Sequence, residues 1–310
     1  MQLLCLAFFI SIHSESNGSM IGNYLSLVKF SHTIFALPFA LIGYTIGIYH
    51  QGQGIDWKIL ALVILCMIFA RSAAMAFNRY LDRDIDALND RTIVREIPAG
   101  IIKPKQALLF VIVNCVAFII TTYFINGLCL LLSPVALLVI LGYSYTKRFT
   151  SLCHMVLGLG LALAPVGAYM AVTGSVHLSV IAYGLAVFSW VAGFDILYAM
   201  QDDDFDRSHQ LNSIPANLGR PNAMKVSIGL HVITAAALIV AGYSLLGANI
   251  TSHILHMIAL LVFIMLLIYQ HRIVSVDDLS KINRAFFTTN GVASLVFGVL
   301  VVVDLAKGFF

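Results

Sequence analysis

The chain of 310 residues is 60% hydrophobic and 11% charged, with a mean hydropathy of +0.93 and a net charge of +3. This composition excludes an ordinary water-soluble domain and describes a polytopic protein embedded in a lipid bilayer. The small net charge, without any basic tract interleaved with aromatics, argues against nucleic acid as a partner, and five cysteines scattered singly through apolar segments suggest neither a disulfide framework nor a zinc site.

The apolar run from Leu3 to Ile12 is too short to span a bilayer and lacks a basic flank. Residues 1–25 therefore read as a leader or disordered N-terminus, with Met20, after the polar SESNGS stretch, as an alternative start. A single transmembrane domain is expected over residues 26–310. Within it, about nine apolar runs of spanning length are predicted, at roughly 30–49, 57–78, 106–125, 127–145, 152–173, 178–200, 223–246, 251–270 and 286–306. The fold class is all-α. Basic residues fall at the links after the second, fourth, sixth and eighth runs, whereas the odd links carry only Lys58. The positive-inside rule puts the even links in the cytoplasm, and Lys29 before the first run agrees.

The second run ends in NRYLDRDIDALNDRTIVREIPAG, residues 78–100. If the helix continues through it, Asn78, Asp82 and Asp86 stack on one face. Like charges at that spacing repel, and ionisable groups at membrane depth are costly, so this face needs a cation, water or a polar cavity. Hard oxygen ligands in this number suit Mg2+, which is usually held by one or two carboxylates together with substrate phosphates. Asp84 and Asp90 lie off this face or beyond it and read as solvated acids. Arg71, seven residues before Asn78, shares its face and either snorkels or pairs locally, or reaches the cavity as a site for a carboxylate.

After the fourth run, Tyr143 and Lys147 are four residues apart, followed by Arg148. The sixth run closes in FDILYAMQDDDFDRSHQLNSIPANLG, where Asp195, Tyr198, Asp202 and Asp206 recur at helical spacings, with Asp203 and Asp204 directed elsewhere. Each acidic segment is followed by Ile-Pro-Ala and then a glycine: Ile97 to Gly100 in one, Ile214 to Ala216 with Gly219 in the other. This suggests a weak internal repeat with the two clusters facing across a shared cavity. His154 reads as a locally satisfied core histidine, His253 and His256 as interface residues, and Asn290 as a helix-to-helix hydrogen-bonding amide. Asp195, deep in its run, reads as a site residue more readily than as half of a structural pair.

Two facing carboxylate clusters, bases at the same membrane boundary and an apolar cavity describe a site for a lipid diphosphate: metal ions for the head group, lipid-like walls for the tail. A cation or proton transporter would also place carboxylates in a membrane bundle, but near mid-membrane with access from both sides.

The three motifs together resemble the UbiA superfamily of intramembrane aromatic prenyltransferases. Asn78-x3-Asp82-x3-Asp86 followed by Arg91-Thr92, Tyr143-x3-Lys147, and Asp202-x3-Asp206 preceded by Asp195 and Tyr198 match its signatures in order. The resemblance implies a helical bundle around a central cavity. It also implies Mg2+ bridging Asp82, Asp86, Asp202 and Asp206 to a polyprenyl diphosphate, with Asn78 beside them. Lys147, Arg148, Arg91 and Tyr143 would then serve the diphosphate, and Tyr198 would lie near the reacting centre. The second motif looks most like the 4-hydroxybenzoate polyprenyltransferase branch, which implies prenylation of that small aromatic acid in ubiquinone-type synthesis. The within-family alternative is a dihydroxynaphthoate on the route to menaquinone. The expected setting is the inner membrane of a bacterium, with the site facing the cytoplasm. Two departures bear on the acceptor: Arg95-Glu96-Ile97-Pro98 stands where many relatives have Arg-Pro-Leu, and Lys29 and His32 lie where many have an Arg-led first run.

Overall fold

The computed structural model describes residues 20–28 and 36–307, all of whose regular elements are helical. The expected leader through residue 19, and the departures at Lys29 and His32, lie outside the described residues. In chain order the helices are α1 (Met20–Leu27), α2 (Leu37–Gln51), α3 (Trp57–Asp86), α4 (Pro104–Tyr123), α5 (Gly127–Thr146), α6 (Cys153–Thr173) and α7 (Leu178–Ala199). They continue with α8 (Asp203–Ser208), α9 (Ile214–Leu218), α10 (Arg220–Leu246), α11 (Ile254–Ile273) and α12 (Asn290–Ala306), the last entered through a π-helical turn at Arg284–Thr289.

Among the described residues, eight helices are long and apolar enough to cross a membrane. The chain is thus an integral membrane protein. The first expected run differs: its described part, α2, has 15 residues, short of the roughly 20 that span a bilayer. Helix ends follow local chemistry. Asp56 caps α3 by accepting from the Lys58 and Ile59 amides at 2.9 and 3.0 Å, and Asn126 caps α5 by accepting from the Cys129 amide at 2.8 Å.

The hub is α7, buried along almost its whole length, with α6 on one side and α10 on the other. Its Trp190 and Tyr183 join Phe39, Phe263 and Phe297 from α2, α11 and α12 in one aromatic cluster. Trp190 Nε1 donates to Asn290 Oδ1 at 3.1 Å, the expected use of that amide across helices. Small residues set the closest approaches. A Cβ on Gly43 would lie 2.0 Å from the Pro165 carbonyl oxygen, and one on Gly158 would lie 2.4 Å from that of Phe188, so α2 on α6 and α6 on α7 both require glycine.

Candidate functional site

The helix of the second run does continue through the first acidic segment, ending at Asp86 after 30 residues. Asn78, Asp82 and Asp86 therefore share a face, as the spacing predicts. Asn78 Nδ2 donates to Asp82 Oδ2 at 2.9 Å, one turn on. Asp82 Oδ1 pairs with Arg148 at 3.0 Å, and the same guanidinium donates to the carbonyls of Leu81 and Ser144. Asp86 is buried; Arg95 donates to its Oδ1 at 2.6 Å, while its Oδ2 is buried without a hydrogen-bond partner. Asp84, its side chain 82% exposed, is a solvated acid beside Arg83.

The link between α3 and α4 folds back over the site. Thr92 Oγ1 donates to the Asp86 carbonyl at 3.0 Å, which places Arg91 to reach the other cluster 111 residues away. Arg91 Nε donates to Asp202 Oδ1 at 3.0 Å and Nη2 to Oδ2 at 2.5 Å, a bidentate fork, and Nη1 approaches the Tyr198 hydroxyl at 3.5 Å. Burial by itself would lower the Arg91 pKa, but the hydrogen bonds and charge of Asp202 outweigh it and raise the value above its usual level.

The second cluster is built differently from the expectation. Asp195 and Tyr198 lie on α7, which ends at Ala199; Met200 caps it, and Asp202 is the N-cap of the separate short helix α8. Asp195 and Asp206 are thus not on one continuous helix. The reason is electrostatic: with Asp203, Asp204 and Asp206 in the first turn of α8, the acids sit at the positive end of a new helix, which they favour over the negative end of an old one. Asp206 is fully buried and faces Lys147 Nζ at 2.7 Å from its Oδ1, but neither of its oxygens accepts a well-aligned hydrogen bond. Asp203, also buried, is held by Arg207 and by Arg220 at 2.7 Å, so it is a structural acid.

Four carboxylates thus meet four bases: Asp82 with Arg148, Asp86 with Arg95, Asp202 with Arg91, Asp206 with Lys147. Lys147, Arg148 and Asp86 all act electrostatically on Asp82, so α3, α5 and α8 converge. Tyr143, one turn before Lys147, is half-buried within electrostatic reach of Arg71, Arg79, Asp82 and Asp195. Arg71 has its Nε buried without a hydrogen-bond partner and pairs with no carboxylate among the described residues. Tyr198 packs against Phe286, ring centroids 4.2 Å apart and planes tilted by 35°.

Three features escaped the sequence reading. Arg95 is the base for Asp86, with only its place in a turn-rich link to suggest it. Arg79 is buried among Asp86, Glu96 and Arg95, its position next to Asn78 being the available signal. Asp195 has a partner, His154, whose Nδ1 is 2.7 Å from Asp195 Oδ2, so the pairing weighed as the lesser role is present. Among the described residues no group of three or more His, Cys, Asp or Glu side chains forms a ready metal cage, because each carboxylate turns to its own base.

Residues 36–292 match the UbiA prenyltransferase family. The 4-hydroxybenzoate octaprenyltransferase of Aliivibrio salmonicida is 31% identical over 246 residues, covering 78% of this chain and 83% of that protein. The Shewanella baltica protein of the same name is 30% identical over 236 residues, covering 76% and 80%. Among solved structures, the apo UbiA homologue of Aeropyrum pernix superposes with a TM-score of 0.77 at 31% identity, covering 88% of this chain and 98% of that one. The Archaeoglobus fulgidus UbiA homologue bound to DMAPP and Mg2+ gives 0.73 at 21% identity, covering 92% and 99%, a likeness of fold. The chain is a membrane-embedded member of the UbiA prenyltransferase family.

Proposed function

We propose that this prenyltransferase transfers a polyprenyl group from its diphosphate to a ring carbon of 4-hydroxybenzoate, in ubiquinone-type quinone synthesis, with Mg2+ at the carboxylates. The observation that carries the reading is the set of four acid–base pairs gathered where α3, α5 and α8 meet. A diphosphate with its Mg2+ ions brings both signs of charge to such a site: the metal takes carboxylate oxygens, and the phosphate oxygens take the bases. The residues fit that metal. Asp206 has two buried oxygens, and Asp86 one, that accept no hydrogen bond among the described residues, as expected of ligands awaiting a cation. Asp82, Asp86, Asp202 and Asp206 would hold it, and when bound it would stabilise charge on the leaving diphosphate.

The remaining chemistry belongs to the chain. Lys147, Arg148 and Arg91, released from their carboxylates, hold diphosphate oxygens, with Tyr143 beside them. The Tyr198 ring, fixed by Phe286, presents a π-face suited to a developing allylic cation. Arg71, without a carboxylate partner among the described residues, receives the carboxylate of the acceptor. The phenol oxygen makes the neighbouring ring carbon nucleophilic enough to attack. The bases at the even links support a cytoplasmic site, and the bacterial relatives support an inner membrane. The family match sets the transporter reading aside.

The test is transfer by membranes carrying this chain, given labelled polyprenyl diphosphate and Mg2+ with 4-hydroxybenzoate or a dihydroxynaphthoate, each repeated with EDTA. EDTA-sensitive product with 4-hydroxybenzoate is expected. Product with the naphthoate alone would move the enzyme to menaquinone synthesis, and no product with either would overturn the reading.

A further inference from the structure

His154 sits in the first turn of α6, buried, between α7 and the start of α9. Its two ring nitrogens have unlike partners. Nε2 lies 3.4 Å from the Ile214 backbone nitrogen, a group that can only donate, so Nε2 must carry a lone pair. That fixes the other tautomer: Nδ1 bears the proton and donates to Asp195 Oδ2 at 2.7 Å. The ring's orientation is thereby set from both ends. The Ile214 amide belongs to the first turn of α9, whose orphan donors need acceptors, so the histidine also anchors the second Ile-Pro-Ala link.

Asp195 is left with one oxygen to spare. No hydrogen bond reaches its Oδ1 among the described residues, its side chain is 24% exposed, and Tyr143 lies within its electrostatic reach. A carboxylate oxygen at this depth needs an opening to a polar cavity, and the site described above supplies it. Cys153, beside His154, turns its Sγ to the Asn212 carbonyl at 3.6 Å.

We propose that His154 is a positioning residue for the transfer reaction, holding the Asp195 carboxylate oriented so that its Oδ1 removes the ring proton of the acceptor. The proposal rests on the function proposed above. In that step the C–O bond to diphosphate breaks, a C–C bond forms between the prenyl carbon and the ring, the ring C–H proton passes to Asp195 Oδ1, and the C–H electron pair restores aromaticity. A histidine that merely pins α6 to α7 would leave the proton-removal step untouched.

The test compares the full-length wild type with His154→Ala and His154→Asn in lipid, using ordinary and ring-deuterated acceptor. Asparagine keeps an N–H where Nδ1–H stands; alanine does not. His154→Ala is expected to lose about 10²-fold in kcat, the scale of a displaced general base, with the KM of the prenyl diphosphate unchanged. It should also acquire a deuterium isotope effect that the wild type lacks, and His154→Asn should recover most of the rate. Equal losses in the two variants without an isotope effect would overturn the proposal while the transfer reading stands. 15N labelling showing the proton on Nε2 of His154 would also overturn it. A wild type inert towards both acceptors would instead overturn the transfer reading, and this proposal with it.

Discussion

The two acidic segments carry carboxylates at the same four-residue spacing, yet the backbone presents them in different ways. The first rides on an unbroken helix, so Asn78, Asp82 and Asp86 are placed by α3 itself. The second is split between the end of α7 and the separate turn of α8, so Asp206 reaches the site only because the chain breaks after Ala199. One cluster is positioned by helix geometry and the other by its tertiary partners. A rigid edge faced by a jointed one is an arrangement in which carboxylates can exchange a base for a metal without unwinding a membrane helix.

The comparison breaks most sharply on activity. If both edges bind the metal together, Asp82→Ala and Asp202→Ala should each lower turnover by at least about 10²-fold, the scale of a lost electrostatic stabiliser, while the protein still inserts. Transfer assays on membranes with matched protein levels check this. Substantial Mg2+-dependent activity in Asp202→Ala alone would mean that the jointed edge is accessory.

Stability separates the edges next. Asp206 is fully buried and Lys147 is its only base within ion-pair distance among the described residues. Removing one partner of a buried pair costs more than the pair contributes, because the other charge is stranded. Since Lys147 is itself 37% exposed, the loss in Lys147→Met is expected at about 2 kcal/mol, below the usual range for a fully buried pair. Adding Asp206→Asn should restore much of it. Arg148→Met should cost less, because Asp82 keeps the Asn78 amide from its own helix. Thermal unfolding of these three variants and of Asp206→Asn alone in detergent, read as a double-mutant cycle for the first pair, tests the ordering. Similar losses for Lys147→Met and Arg148→Met would remove the distinction between a helix-borne and a tertiary-held acid.

Below both clusters, Arg71→Leu should raise the acceptor's KM by about tenfold, the effect of one charge-assisted hydrogen bond, and leave the donor's KM nearly unchanged. An unchanged acceptor KM would assign the Arg71 guanidinium to something other than substrate.

How much of this was legible in the sequence follows the same division. The all-α bundle, the helix through Asp86, the shared face of Asn78, Asp82 and Asp86, and the Arg71 register all follow from a 3.6-residue period and hydropathy, which are local properties of the chain. The break at Met200 was not, because spacings of three and four are equally compatible with one helix or with two short ones. The signal that could have found it is the run Asp202, Asp203, Asp204, acids that favour the start of a helix over its end. Asp203–Arg220 and Asp86–Arg95 were hidden for another reason. An ion pair closes in space across a link whose path the sequence does not encode by periodicity. His154 shows the limit best. A histidine among apolar residues reads as core, and only the approach of α7 and α9 reveals that its two nitrogens have different work.

The smallest effect tests how each Ile-Pro-Ala link is tied down. Both links place a glycine soon afterwards with φ in the left-handed region, Gly100 at 74° and Gly219 at 77°, and both bury their isoleucine, so the repeat extends to local geometry. Their anchors differ. The second link is held from α6, by His154 on the Ile214 amide; the first is held from α1, where Ser26 Oγ donates to Glu96 Oε1 at 2.5 Å beside buried Leu27 and Val28. Glu96 is buried with its Oε2 unpartnered, and Arg79 and Arg95 lie nearby, so the serine hydroxyl is one of few groups satisfying it. Ser26→Ala should lower stability by about 1 kcal/mol, the cost of one hydrogen bond to a group left buried, with turnover scarcely altered. A matching drop in melting temperature would establish α1 as the clamp of the first link. No drop would mean that the apolar contacts of Leu27 and Val28 suffice, and that Glu96 is carried by its arginines alone.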